Sequence, residues 1–277
     1  MKESVLHFDC NGDALIGILA EPHGDAAKVG VVIVVGGPQY RAGSHRQFTR
    51  LARHLAAAGH AVLRFDVRGM GDSEGQAREF DAIEDDIAAA VNALSHRCAS
   101  LKHIVLYGLC DGASAALIYC GSRNDFRVSG LVLQNPWFRS AQGEATALVR
   151  SYYAKRLASP EFWKKLLRGG VGLHALRGWI DNRRLASQAP QVADTFHTRM
   201  VRAWRSDDRP LLLQISSEDL TAQEFTMGFD LQLPAWKRRT ALTCSTQPGA
   251  DHTFSNAAHE RRMQDEIHGW LQREFLT

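Results

Sequence analysis

The chain has 277 residues, 45% of them hydrophobic and 23% charged, a composition that supplies a core and excludes disordered, collagen-like and coiled-coil chains. Its formal net charge is only +3, from 33 Lys plus Arg against 30 Asp plus Glu, which gives no electrostatic reason to expect a nucleic-acid partner. The longest apolar run, Val29 to Val35, falls far short of the roughly 18 to 20 residues of a membrane span, and no basic stretch leads into an apolar one at the N-terminus, so a soluble cytoplasmic protein is expected. Five cysteines (Cys10, Cys98, Cys110, Cys120, Cys244) are scattered without a Cys-x-x-Cys pair, so free thiols are expected, with no metal and no cofactor.

Val5 to Phe8 and Ala14 to Leu19 flank Cys10-Asn11-Gly12-Asp13, and Asn-Gly supplies the positive φ angles of a tight hairpin. Val29 to Val35 is continuously apolar and β-branched, as in a strand covered on both faces. Gln47 to Ala58 places Phe48, Leu51 and Leu55 at helical spacing and stops at Gly59, a glycine cap. A strand follows from His60 to Asp66. Then come a helix at Ile83 to Leu94, a strand at His103 to Tyr107, a helix at Ala113 to Tyr119 and a strand at Val128 to Leu133. This alternation predicts an α/β fold, a mostly parallel sheet wrapped by helices with an antiparallel hairpin in front. After Pro136 the rhythm breaks for more than seventy residues. It resumes with strands at Leu211 to Ile215 and Thr240 to Thr246 and a helix from Asn256 to Phe275. Residues 1–136 and 210–277 therefore read as one core, and 137–209 as a helical cap inserted into it.

Tyr107-Gly108-Leu109-Cys110-Asp111-Gly112 lies between a predicted strand and a predicted helix. Glycines two positions either side of Cys110 are what a sharp strand-to-helix turn requires, because side chains there collide as strand and helix converge. Cys110 is thus the candidate nucleophile, with a buried inert thiol as the alternative. An acid should follow, then a histidine. Asp219, in Ser216-Ser217-Glu218-Asp219-Leu220 after the predicted strand at Leu211, is preferred as the acid. Glu218 is its competitor. His252, in Gly249-Ala250-Asp251-His252-Thr253-Phe254 after the next strand, is the candidate base. Most other histidines, such as His96, His259 and His268, read as solvated helix residues.

Val34-Val35-Gly36-Gly37-Pro38 resembles the His-Gly-Gly-Pro turn of α/β-hydrolases, with Val35 in place of the histidine. The hairpin, this turn, Asp66-Val67-Arg68-Gly69-Met70-Gly71-Asp72-Ser73, the cysteine elbow and the Gly-Ala-Asp-His loop together look like an α/β-hydrolase over nearly the whole chain. More narrowly, Gly36 to Phe48 together with Gly108 to Gly112 resembles the exosortase A system-associated hydrolase 1 family. The resemblance implies an ester or thioester hydrolase in bacteria that export polysaccharide and sort proteins by a C-terminal signal. A cysteine elbow also recurs in dienelactone hydrolases and polyhydroxyalkanoate synthases. The amides of Gly37 and Asp111 would then form an oxyanion hole, the alternative for Gly37 being an ordinary strand-ending turn. Arg41 and His45, just beyond it, are candidate substrate contacts or surface residues. The Asp66 to Gly75 turn takes a structural role.

A Cys110-His252-Asp219 triad would pass through a thioester on Cys110, and a thiolate beside an imidazolium at a helix N-terminus is accessible near neutral pH. Because thioesters also react with amines and thiols, an acyltransferase shares this site. A non-catalytic binding protein of the same fold is the rival from another class. Between Trp137 and Arg209 there are 14 Lys plus Arg against 6 Asp plus Glu, a net of +8, leaving −5 on the rest. Mixed with aromatics such as Trp137, Tyr152, Tyr153, Trp163 and Trp179, these charges suit a cap that meets an anionic carrier, acyl-coenzyme A or acyl-carrier protein, or an anionic membrane face. A solvated face without a partner is the alternative.

Overall fold

The computed structural model describes residues 1–24, 26–37, 39–139 and 195–276. Among them eight strands form one sheet in the order β1-β2-β4-β3-β5-β6-β7-β8. β1 (Lys2–Cys10) and β2 (Asp13–Glu21) are the antiparallel hairpin. Its turn carries left-handed Asn11 (φ 57°) and Gly12 (φ 92°), as a two-residue turn with the twist of the flanking strands requires. β2 also pairs antiparallel with β4 (Ala61–Phe65), while β3 (Val29–Val34), β5 (His103–Leu109), β6 (Val128–Gln134), β7 (Leu211–Ser216) and β8 (Leu242–Gln247) run parallel. The continuous apolar run of β3 is explained by its place inside the sheet, where all six residues are buried.

Helices cover both faces. On one, Phe48, Leu51 and Leu55 of α1 (Gln47–Ala57) pack with Met263, Ile267 and Trp270 of α6 (Ala257–Phe275). On the other lie α2 (Glu84–Arg97), α3 (Asp111–Ser122), α4 (Phe196–Ser206) and α5 (Leu220–Gln232), contributing Ile87, Ile118, Trp204 and Phe225 among others. The expected α/β-hydrolase architecture is therefore present. Two elements differ from the sequence reading. α3 begins at Asp111 rather than Ala113, because the elbow turns directly into the helix. α5 was not anticipated. Gly228 and two threonines weaken its intrinsic helix propensity, but Gly228 is also what allows Phe138 to approach, a methyl there lying 2.5 Å from that ring. Of the predicted cap, residues 140–194 lie outside the described residues; α4, from its last part, packs on α3, where Ala203 sits against Gly121.

The parallel register matters for function because it sets Val34 beside Gly108, Leu109 beside Gln134, Gln134 beside Gln214 and Ser216 beside Gln247. The carboxyl ends of five adjacent strands thus converge, which is where open α/β sheets carry their sites.

Candidate active site

Cys110 is the single residue between β5 and α3, with φ 59° and ψ −126°. A non-glycine residue holds such a conformation only where its surroundings over-determine it, and here they do. Its amide donates to the Gln134 carbonyl at 3.0 Å, and its carbonyl accepts from the amides of Ala113, Ser114 and Trp137 at 3.1 to 3.2 Å. The flanking glycines are sterically required. A methyl on Gly108 would collide with the backbone of Gly112, and one on Gly112 would lie 2.5 Å from the Val34 carbonyl oxygen.

Asp219 caps α5, its carboxylate accepting from the amides of Thr221 and Ala222 at 3.1 Å each. The same carboxylate meets His252 Nδ1 at 2.7 Å. Glu218 instead points to solvent, its backbone amide donating to the Ala250 carbonyl at 3.0 Å. Between the two candidate acids, Asp219 is the one brought to the imidazole. The Cys110 thiol is the second neighbour that acts on the His252 ring. Burial works against charging this imidazole, but the bonds and charges of Asp219 and Cys110 outweigh it and raise its pKa to about 10.

Asn135, which sequence reasoning passed over, holds the two loops together. It is fully buried with φ 43°. Its side-chain amide donates to Ser216 Oγ at 2.8 Å and to the His252 carbonyl at 3.0 Å, while its oxygen accepts from the Ser216 amide at 2.8 Å. The only signal was a polar residue at the carboxyl end of an apolar strand, one of the few residue types that tolerate a left-handed backbone.

Gly37 has φ +57° and faces the elbow: a methyl on it would lie 2.8 Å from Asp111 Oδ2, and one on Gly36 would collide with the Gly112 amide and the Asp111 carboxylate. Gly37 thus lies against Asp111, the residue after Cys110, and the two expected oxyanion donors line one cavity. A cavity of about 430 Å³ elsewhere, around Arg202 and Arg205, is remote from this chemistry. The cavity at the elbow measures about 220 Å³ and is walled by Gly36, Gly37, Val67, Met70, Phe80 and Asp111.

Arg41 does not enter that cavity. Its guanidinium pairs with buried Asp66 and with Asp72, and its amide donates to Asp66 at 2.6 Å, so it braces the Asp66 to Gly75 turn. His45, left-handed at φ 42°, meets Thr253 Oγ1 at 3.1 Å, and its other ring nitrogen meets the Arg50 guanidinium at 2.7 Å. It therefore contacts the residue after His252. Among the described residues no cluster of His, Cys, Asp or Glu could hold a metal ion, and no helix is long and apolar enough to cross a membrane.

The fold resembles that of the esterase Pf2001 of Pyrococcus furiosus, with a TM-score of 0.66 at 18% identity over 99% of this chain and 91% of that one. It is also similar to Est1E of Butyrivibrio proteoclasticus, solved with ferulic acid (0.65 at 16%, over 98% and 100%), and to a dienelactone hydrolase of Anabaena variabilis (0.60 at 16%, over 99% and 98%). In sequence, a relative is the quorum-quenching protein AidA of Acinetobacter baumannii, 30% identical over 137 residues, which are 48% of this chain and 43% of AidA. The chain thus matches less than half the length of that relative. The model of the family described as serine aminopeptidase, S33 (Hydrolase_4) matches residues 26–206, with Cys110 standing at the elbow. That match spans well over half of the sequence, and the chain belongs to this family of α/β-hydrolases.

Proposed function

We propose that the chain is an acyl hydrolase, an esterase or thioesterase, with Cys110 as nucleophile, His252 as general base and acid, and Asp219 orienting the imidazole. The observation that carries this reading is a thiol on a strained elbow, neighbouring a histidine whose Nδ1 lies 2.7 Å from a buried carboxylate. With Nδ1 engaged by Asp219, Nε2 is the nitrogen left to take the thiol proton. Sulfur then bonds to the acyl carbon while the carbonyl electrons move onto oxygen, facing the amides of Gly37 and Asp111. Collapse expels the alkoxide or thiolate, which takes the proton from His252, and leaves a thioester on Cys110. Water gives a proton to His252 as it attacks that thioester, and breakdown returns the free acid and the Cys110 thiol. The raised pKa of His252 lets it hold the proton taken from the thiol until the leaving group accepts it.

Transfer to an amine or thiol uses the same thioester, so an acyltransferase is the nearest variant. An acyl-coenzyme A or acyl-carrier donor, met by the basic segment between Trp137 and Arg209, and an exosortase-associated setting belong to the same proposal; the support for them is charge and motif resemblance.

Incubation with an activated acyl ester should add one acyl mass to the protein, located on Cys110. Cys110→Ala should remove both the adduct and turnover, a loss of about a thousandfold or more. Turnover within about tenfold of the native chain in that variant overturns the assignment, and absence of any adduct or turnover in the native chain favours a binding protein.

A further inference from the structure

The amide of Asp111 is one of the two donors expected to face the oxyanion, yet in this structure the Asp111 side chain itself reaches into the cavity at the elbow. Its carboxylate lines the cavity at the elbow; burial raises its pKa, and the neighbouring amides of Asp111 and Gly112, His252 and the Cys110 thiol act against that rise. It also lies against the Gly36-Gly37 turn closely enough that a methyl on either glycine would contact or collide with it. Hence the cavity at the elbow, walled by both residues expected to supply the donors, already holds a carboxylate. We propose that the Asp111 carboxylate is the resting occupant of the oxyanion hole, so that acyl substrates enter in competition with it and those carrying their own negative charge near the carbonyl are selected against. This inference rests on the acyl-hydrolase reading and names its substrate class: uncharged acyl groups.

Three features separate an occupant from a brace. The groups acting on the carboxylate include the Asp111 amide and the Cys110 thiol that the reaction needs, whereas Asp66, a true brace in the neighbouring turn, is satisfied by Arg41 and by the Asp72 amide. Among the described residues no arginine or lysine is paired with Asp111, and the nearby cation acting on it is His252. Burial raises its pKa, so its charge is held at a cost that leaving the hole would relieve. The cavity wall beyond it carries Val67, Met70, Phe80 and Ile83, which suit an uncharged chain, together with exposed Arg78 and Glu79, whose opposite charges leave no net attraction for a second carboxylate.

The discriminating experiment measures the rate at which Cys110 is acylated, by intact-protein mass, with a neutral aryl ester and with the aryl half-ester of a short dicarboxylic acid. Asp111→Ala empties the hole and Asp111→Asn keeps its size without charge. We expect Asp111→Ala to acylate about three- to tenfold faster with the neutral ester and to gain at least as much again with the anionic one; Asp111→Asn should fall in between, since a neutral acceptor holds donors about half as strongly. Equal or slower acylation of both variants, with thermal unfolding unchanged, makes Asp111 a participating or structural group and overturns the inference while Cys110 remains the nucleophile. Should Asp111→Ala fail to fold, Asp111→Asn against the native chain decides alone by the same ratio of anionic to neutral rates. If Cys110 of the native chain takes no acyl group from either ester, the hydrolase reading falls and this inference with it.

Discussion

Two histidines in different parts of the molecule, His60 buried and His252 with its side chain 32% exposed, end at opposite extremes. Burial lowers the pKa of each, yet His252 rises to about 10 and His60 falls to about 4. The difference lies in their partners. His252 has Asp219 and the Cys110 thiol; His60, just before β4 and 1% exposed, has His268, whose Nδ1 is 3.1 Å from His60 Nε2, and its own Nδ1 has no partner among the described residues. A buried imidazole is thus made reactive or inert by what faces it, which is why a histidine in a sequence says little until its neighbours are known.

The largest expected effect comes from removing the partner that sets His252 apart. Asp219→Asn keeps size and the capping oxygen but removes the charge, and should lower kcat by about a thousand- to ten-thousandfold. Glu218→Gln, one residue earlier and solvent-facing, should leave kcat within about threefold. Steady-state kinetics with an activated ester rank the two, and the reverse order, with both variants folded, would move the triad acid to Glu218.

The next effect is on stability and has a defined sign. The unfolded chain takes a proton on His60 below its ordinary pKa of about 6.5, whereas the native chain resists until about 4. Stability contributed by neutral His60 is therefore present above pH 6.5 and lost as pH falls through 4, by up to about 3 kcal/mol at 1.4 kcal/mol per unit. His252 acts in the other direction, its contribution complete below pH 6.5 and lost as pH rises to about 10. Denaturant unfolding between pH 7 and 4 should show a steep decline that His60→Gln flattens; an unchanged slope in that variant would assign the acid sensitivity elsewhere.

What the sequence made legible follows the same division. The elbow announced itself because its constraint is steric and local: only glycine fits at Gly108 and Gly112, and glycines are visible in a string of letters. The hairpin turn at Asn11-Gly12 and the buried run of β3 were legible for the same reason. The position of Asp219 after a strand distinguished a region but not one carboxylate from the next, because choosing between Glu218 and Asp219 depends on which residue caps α5, a helix the sequence did not announce. The roles of Arg41 and His45 were equally hidden. Arg41 is committed to Asp66 and Asp72 from a turn some 25 residues on, and His45 to Thr253, 208 residues away. Contacts of that separation leave no local periodicity to read.

Asn135 gives the smallest of these effects and the sharpest test of whether partners or burial govern His252. It touches the histidine's backbone rather than its ring, and ties that carbonyl to Ser216 at the end of β7, just before Asp219. Asn135→Ala frees the loop without altering either member of the His252–Asp219 pair, so it should reduce kcat by about ten- to a hundredfold, the range a misplacement of the order of 1 Å produces, with KM little changed. A purely structural role would lower thermal stability and leave the chemistry of the surviving folded protein intact. A positioning role predicts in addition that the pKa of His252, followed by the ring-proton shifts of the imidazole, moves down toward its ordinary value as the pairing with Asp219 loosens. Loss of stability with kcat and the His252 titration both unmoved would show that the imidazole is held by its carboxylate alone.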